Sequence, residues 1–329
     1  MTGIEHTRSN KDSLSVVTSV LNEEDSVQEL VDRTLGALKE SGHPHELIIV
    51  NDGSTDATLP LLLKLSEKYA ELRIIDLLRN FGVMAAVTAG VSVAKGAAVI
   101  VLDGDLQDPP ELIPQLAEKW REGADIVICR RKSRQEGPLL QFMIKIYYTI
   151  YRQLNEHAQG DNSGNFGLMD REVADIMIQL PERERYFAGL RDWIGGRRAV
   201  VEYDRLARKF GESRQGLFGL LRHARSGVVS FSVRPLRLIS GLSLIVASVM
   251  LLIGLVAITV RITTDIAVPG WATYVTLFSI LGFMQALSFA VLAEYISVLF
   301  IEAKGRTIFA IRDEYKSGAS VPLEYDRAK

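Results

Sequence analysis

The sequence predicts an α/β domain on a mostly parallel, Rossmann-like sheet, followed by amphipathic surface helices and a hairpin of two apolar helices. Three observations lead there. Short runs rich in Val, Ile and Leu alternate with helical periodicity from Leu14 to Arg130, the pattern of strands joined by helical crossovers. Acidic and basic residues gather just after those runs. Beyond residue 237 lie two long stretches without charge. The 329 residues are 47% hydrophobic and their mean hydropathy is +0.12, high for a wholly soluble chain, and the length exceeds one ordinary domain.

Taken in order, residues 1–13 (MTGIEHTRSNKDS) are polar and lack the apolar core of a secretory signal, so they read as a disordered leader. Five strand candidates follow: SLSVVTSVL, HELIIVNDG, LRIIDLLRN, AAVIVLDGD and ADIVICRR. Val27 to Glu40, Ala57 to Tyr69 and Glu111 to Glu122 carry helical periodicity. In a helix-covered parallel sheet, ligands bind beyond the carboxyl ends of the strands. Asn22 and Glu23, Asp52, Asp103 and Asp105, and Arg130 and Arg131 all fall there. The domain is expected to span 14–204, its last third holding a Gly/Asn-rich bend, GDNSGNFGLM, and a helix opened by Arg171.

Residues 205–237 carry eight Lys or Arg against one acid, Glu212, with aliphatic and aromatic residues interleaved. Placed before an apolar stretch, they read as interfacial helices lying on anionic membrane lipids. Leu238 to Val260 is 23 uncharged residues, roughly 35 Å of helix against a hydrocarbon core of about 30 Å. A polar link, 261–270, leads to a second span, 271–301, whose one ionisable residue is Glu294. Arg234 and Arg237 before the first span, and Lys304, Arg306 and Arg312 after the second, put both flanks inside by the positive-inside rule. The expectation is a multi-pass protein of the inner (cytoplasmic) membrane, with the catalytic domain and a tail, 302–329, in the cytoplasm. A formal net charge of -2 speaks against nucleic acid as a partner. The single cysteine, Cys129, excludes an intrachain disulfide and reads as a small buried residue.

The sharpest motif is DGDLQDPPE, Asp103 to Glu111, at the end of an apolar run. Two carboxylates two residues apart at a strand end suit a divalent cation that also binds substrate phosphates. Asp108 reads as a helix cap. In VNDGSTDAT, Val50 to Thr58, a strand runs into Asp52, Gly53 permits a turn, and Thr55 or Asp56 caps the next helix. Asp52 precedes the cap and is free to accept from a nucleobase edge. His43-Pro44-His45 reads as a loop ahead of a strand and not as a metal site.

Together with SVVTSVLNEE, LLRNFG, ERERYFAGLRDWIGG, Gly211-Glu212-Ser213 and FSVRPLRL, these motifs resemble family-2, GT-A-fold polyprenyl-phosphate glycosyltransferases. Within that family the chain resembles bacterial bactoprenol glucosyltransferases and, more distantly, dolichol-phosphate mannosyl synthases. The resemblance covers Leu14 to about Arg312. It implies inverting transfer of a hexose, glucose by preference, from a nucleotide diphosphate sugar such as UDP-glucose to undecaprenyl phosphate. It assigns Glu23 and Asp52 to the nucleoside, Asp103 to the ribose and metal region, and Asp105 and Gln107 to Mg²⁺ or Mn²⁺ and the diphosphate. Arg131, Arg208 and Arg214 become phosphate ligands, a role suited to the planar fork of arginine. Asp103, Asp105, Arg131 and Asn165 make up the implied catalytic set. A homo-oligomer is compatible with this reading, and a flippase or further glycosyltransferases of an envelope pathway would act downstream.

Four departures from the family pattern stand out. Ser19 and Leu21 replace a Pro and a Tyr in the first strand, and Ser213-Arg214 replaces Ser-Lys. AEYISV, Ala293 to Val298, replaces a GEYIGR signature, and Gly164-Asn165-Phe166-Gly167-Leu168 replaces Gly-Asp-Phe-Arg-Leu. The Asp lost at Asn165 is a candidate base in relatives. A lipid phosphate with its second pKa near ~6 already presents an oxyanion at neutral pH, so it needs no strong base. Two rival readings remain: a processive polysaccharide synthase subunit, for which two spans are too few to enclose a channel, and an inactive membrane scaffold.

Overall fold

The computed structural model describes residues 12–131, 163–183, 185, 187–204, 234–263 and 270–322. They fall into two units, one holding a nine-stranded sheet with its helices and the other two long helices. In the first unit the chain runs β1 (Leu14–Val20), α1 (Val27–Glu40), β2 (His45–Asn51), α2 (Thr58–Lys68), β3 (Leu72–Leu77), α3 (Val83–Val93) and β4 (Ala98–Asp103). After a 3-10 turn (Pro110–Leu112) come α4 (Ile113–Arg121), β5 (Ile126–Arg131), β6 (Ser163–Asp170), α5 (Arg171–Gln179), α6 (Phe187–Ile194) and β7 (Arg198–Tyr203). The second unit consists of α7 (Arg234–Thr263) and α8 (Trp271–Ala303), and the chain then returns to the first with β8 (Ile311–Lys316) and β9 (Ala319–Val321).

All five expected strands form, for the reason their composition suggests. Leu47, Ile48, Ile49 and Val50 of β2 are wholly buried, as continuous apolar runs are when helices cover both faces of a sheet. Leu30 and Leu38 of α1, Leu62 of α2 and Trp120 of α4 belong to the same core. The apolar helix α3 carries no clear amphipathic period in its sequence, VMAAVTAGVSV, and Ala85 through Val91 are buried.

The strand order is β7-β5-β6-β4-β1-β2-β3-β8-β9. β1 through β4 are parallel, but β6 lies antiparallel between β4 and β5. The sheet is therefore mixed where the sequence led us to expect a mostly parallel one. Of the Gly/Asn-rich bend expected over 160–169, the described part, 163–169, belongs to that strand. Its glycines argue against a strand by propensity, yet a Cβ on Gly167 would stand 2.5 Å from the Val127 carbonyl oxygen. Close backbone approach to β5 requires glycine there.

The stretch expected as a tail, 302–329, carries β8 and β9. β8 pairs antiparallel with β3, and β9 pairs with β8. Ser317 and Gly318, at φ 52° and 74°, form the two-residue turn between them, the left-handed pair that suits a right-twisted hairpin. Where two apolar spans were expected, 238–260 and 271–301, stand α7 and α8, of 30 and 33 residues, and most of the expected link, 264–269, lies outside the described residues. Leu244, Leu252, Val256, Phe278, Phe283 and Leu299 on these helices are exposed, and Ser243 bonds Ser288 at 2.8 Å. Among the described residues, Ile280–Ala303 is the one stretch long and apolar enough to cross a membrane.

At the amino ends of β1, β2 and β3 a buried ionic cluster ties five elements together. The Arg73 guanidinium on β3 donates to Glu314 of β8 at 2.7 and 3.0 Å, to Glu46 of β2 at 2.6 Å and to the Val93 carbonyl at 3.0 Å. Glu46 also accepts from Ser15 at 2.6 Å and from the Lys95 N–H at 2.7 Å. Burial alone would raise the Glu46 carboxyl; the bonds from Ser15, Lys95 and Arg73 outweigh it and hold the group below the usual range. Arg73→Met should therefore destabilise the domain by about 3–5 kcal/mol, the scale for stranding one partner of a buried pair, seen as a lowered Tm. Glu46 contributes stability that is complete above its unfolded value, about 4.3, and lost as pH falls through its lower folded value. The Tm gap between wild type and Glu46→Gln should then close as acid is added below about pH 4; a gap unchanged to the lowest measurable pH would contradict this.

Candidate active site

The order β3-β2-β1-β4 places a topological switch point between β1 and β4, where open α/β sheets bind ligands. The loops after β1 and β4 flank that point, and those after β2 and β3 extend it. On the β1 side, Asn22 adopts φ 52°, which asparagine tolerates better than most residues. Its N–H donates to Ser54 Oγ at 3.0 Å and its Oδ1 accepts from the Thr55 N–H at 2.8 Å. The Glu23 N–H donates to Thr58 Oγ1 at 2.9 Å, and the Glu23 carboxylate accepts from Ser26 at 2.7 Å. Asp56 accepts from the Thr58 N–H at 3.0 Å and from its hydroxyl, the capping role expected of it. The first two loops thus form one hydrogen-bonded unit, with Glu23 half-buried at its rim.

Asp52 sits differently from the expectation that it is free for a nucleobase. It is 2% exposed, and its two oxygens accept from the N–H groups of Phe81 at 2.7 Å and Gly82 at 2.9 Å. Burial pushes its carboxyl up, and the two N–H groups and the Arg79 charge offset that only in part. Asp52 therefore joins the β2 loop to the β3 loop. A carboxylate has about four lone-pair sites, so this leaves acceptor capacity but little open surface.

After β4, exposure alternates. Asp103, Asp105 and Gln107 are half-buried, while Leu106 and Asp108 are buried. The Gln107 N–H donates to Asp105 Oδ1 at 3.2 Å, and Leu106 takes φ 57°. Gly104 is required between the two aspartates, because a Cβ there would stand 2.4 Å from the Ser19 carbonyl oxygen of β1. A fork from Arg33 of α1 to Glu111, at 2.8 and 2.9 Å, secures the far end of the motif. Among the described residues no three acidic, His or Cys side chains converge into a cage. Two half-buried carboxylates with an amide fit a small hard cation that takes its remaining ligands from substrate phosphates and water.

Arg131 ends β5 over a buried partner. Asp108 is 0% exposed and accepts from the Tyr203 hydroxyl at 2.5 Å; Arg131 Nε donates to that hydroxyl at 3.1 Å, and its NH2 lies 3.6 Å from Asp108. The expected cap role of Asp108 is thus replaced by an ionic one. Burial works against the Arg131 charge, and Asp108, Tyr203 and Asp103 more than restore it. Burial and the neighbouring Asp108 push the Tyr203 phenol well above its ordinary value. The same two influences raise the thiol of Cys129, which is buried as expected, and so leave it inert. Arg191, 3% exposed on α6, donates to the Gly164 carbonyl at 3.1 Å.

Asn165 is half-buried in β6. The β5–β6 register slips between Ile128 and Arg130, opposite residues 163–167, and such irregularities re-aim side chains beside active sites. Carried two residues past its last pair, Val101 with Gly167, the β4–β6 register brings Asn165 level with Asp103. Arg208 and Arg214 lie outside the described residues. Sequence reasoning missed Tyr203, Arg191 and the burial of Asp108. The one signal available was a lone arginine on the apolar side of FAGLRDWI.

Residues 15–176 match the family Glycosyl transferase family 2. An uncharacterized glycosyltransferase of Synechocystis sp. is 39% identical over 301 residues, 91% of this chain and 95% of the relative. The uncharacterized glycosyltransferase YkcC of Bacillus subtilis is 33% identical, covering 92% of this chain and 94% of its own. A bactoprenol glucosyl transferase of Shigella phage SfV is 35% identical, covering 92% of this chain and 98% of its own.

The Asp52 bonds make a prediction that needs no substrate. Asp52→Ala leaves the Phe81 and Gly82 N–H groups without their acceptor, a cost of about 1–3 kcal/mol. Hydrogen exchange should accelerate by roughly ten- to a hundredfold at these amides while β2 stays protected. Unchanged exchange at Phe81 and Gly82 would remove Asp52 as the clasp between the loops.

Proposed function

The chain belongs to glycosyl transferase family 2, and from that premise we propose that it moves a hexose from a nucleotide diphosphate sugar onto a polyprenyl phosphate. Glucose from UDP-glucose and undecaprenyl phosphate are the preferred pair. The observation that carries the lipid acceptor is the extent of likeness to relatives. Similarity to a bactoprenol glucosyl transferase runs through the α/β domain and on through α7 and α8, whose large apolar side chains face outward. We place residues 238–260 and 271–301 across the inner membrane as a hairpin, with the basic segment 205–237 on the headgroups and the α/β domain on the cytoplasmic side.

In this reading the nucleoside lies over the joined β1 and β2 loops, with Glu23 at the rim and Asp52 beneath. Asp103 faces the ribose. Asp105 and Gln107, with Asp103 adjacent, would hold Mg²⁺ or Mn²⁺, which when bound neutralises charge on the diphosphate leaving group. Arg131 is pre-oriented by Asp108 and Tyr203 to grip a phosphate oxygen pair. Arg208 and Arg214 are proposed as further phosphate ligands.

The acceptor phosphate oxyanion attacks the anomeric carbon from the side opposite the diphosphate. Its O–C bond forms as the bond from carbon to the diphosphate oxygen breaks, inverting the centre and releasing the nucleoside diphosphate. No proton has to leave the attacking oxygen, so orientation and charge neutralisation carry the step. Asn165 is assigned to hydrogen bonding of sugar or acceptor, since an amide cannot act as a base near neutral pH.

The direct test is transfer from a panel of labelled nucleotide-sugars to undecaprenyl phosphate by the full chain in detergent. A glucosyl-lipid from UDP-glucose is expected; absence of lipid product from every donor would sink the reading. Asp105→Ala should abolish transfer and leave Tm near wild type. Near-normal turnover of that variant with Mg²⁺ or Mn²⁺ present would remove the proposed role of Asp105. Asn165→Ala should slow turnover by roughly ten- to a hundredfold, the scale of one or two well-placed hydrogen bonds. Asn165→Asp should bring no large gain, because it sets a carboxylate beside an anionic acceptor. A large gain accompanied by a new ionisation in the rate–pH profile would show that a base is wanted after all.

A further inference from the structure

β8 sets an arginine against the end of β3. The β3–β8 register slips at one point: Asp76 faces Asp313 and Leu77 faces Ile311, so Arg312 is the extra residue of a β-bulge. A bulge turns its side chain away from the ordinary alternation of the strand. The Arg312 guanidinium reaches over the end of β3, donating to the Leu78 carbonyl at 2.9 Å and lying 3.4 Å from Asp76 Oδ2. Leu78 is further fixed by its own N–H, which donates to the Ala310 carbonyl at 3.0 Å.

From Asp76 the contacts run inward without a gap. Asp76 is 2% exposed, and its other oxygen accepts from Asn51 Nδ2 at 2.7 Å. Asn51 Oδ1 accepts from the Ser54 N–H at 3.2 Å, and Ser54 Oγ accepts from the Asn22 N–H at 3.0 Å. The Leu78 branch leads to Phe81 and Gly82, the two amides held by Asp52. Arg312 thus touches the hydrogen-bonded route from Asp76 to the β1 and β2 loops and, at Leu78, the start of the loop that Asp52 clasps three residues on.

We propose that Arg312 is a positioning residue for the nucleotide: it sets the loops bearing Glu23, Asp52 and Phe81–Gly82 without itself touching the donor. An arginine suits the task because its fork bonds a carboxylate and a carbonyl at once, which a lysine ammonium matches less well. Among the described residues, Asp76 would otherwise be a buried carboxylate bonded by the Asn51 amide alone.

The inference rests on the reading that these loops bind a nucleotide diphosphate. The test uses the full chain in detergent, with UDP binding by calorimetry and UDP-glucose kinetics with undecaprenyl phosphate. Arg312→Ala should weaken UDP binding and raise KM for UDP-glucose by about tenfold, the scale of one lost charge-assisted hydrogen bond. The kcat and the KM for the lipid should stay within about twofold, and Arg312→Lys should fall between. Hydrogen exchange at Phe81 and Gly82 should quicken in Arg312→Ala. The effects of Arg312→Ala and Asp76→Asn should be less than additive, because they interrupt one chain of contacts. A lowered Tm and kcat with UDP affinity unchanged would make Arg312 purely structural and overturn the proposal. Wild type that binds neither UDP nor any other nucleoside diphosphate would overturn this inference together with the proposed function. Wild type that binds UDP while Arg312→Ala binds it equally well would overturn the inference alone.

Discussion

Arg73 carries a positive charge where water scarcely reaches, and a charge so placed has to be met on every side. Here the answers come from four directions: Glu46 on the neighbouring strand, Glu314 on the strand across, the carbonyl that ends α3, and, through Glu46, the hydroxyl of Ser15. Ser15 and Glu46 lie at the starts of β1 and β2, Val93 at the end of α3 and Glu314 within β8. Because β1, β2 and β3 pair without a slip from this end, their carboxyl ends are held in fixed register at the other. The alignment of the Asn22, Asp52 and Phe81 loops is thus partly decided at the far end of the sheet.

The site end repeats the device with opposite sign. Asp108 is the buried charge there, and Arg131 and Tyr203 converge on it. Two more loops are anchored by Asp52 and Asp76, both nearly inaccessible. Buried, hydrogen-bonded carboxylates make poor direct ligands but good anchors. The half-buried carboxylates of Asp103 and Asp105 project from a frame made of the buried ones. The motif DGDLQDPPE therefore divides its labour by alternation, odd positions outward and Leu106 and Asp108 inward.

Most of this frame was legible in the sequence where hydrophobic pattern and motif coincide. The five runs of Val, Ile and Leu became strands, and the charged residues after them lie at one sheet edge. Legibility failed where structure depends on a partner distant in sequence. β6 looks like a bend because its glycines are unfavourable until β5 lies against them. IRDEYK in β8 looks like a polar tail because two of its charges, Arg312 and Glu314, are answered by residues some 240 positions earlier, Asp76 and Arg73. Asp108 and Asp52 could not be told from exposed aspartates, since their burial comes from Tyr203 and from the β3 loop. No local rule reports contacts of that kind.

The return of the chain to its own sheet has a consequence for biosynthesis. A polypeptide emerges from its amino end, so Arg73 and Asp76 are made long before Glu314 and Arg312. Throughout translation of α7 and α8, the outer edge of β3 stays unpaired and Arg73 lacks one of its two carboxylates. That edge is an open template for other strands until the final hairpin arrives to cap it. A ribosome stalled within the apolar helices, or a chain truncated there, would therefore leave both the first-made unit incomplete and a sticky strand uncovered. Nascent chains of this protein should call on chaperones at that edge, in the interval between the first apolar helix and the last strand.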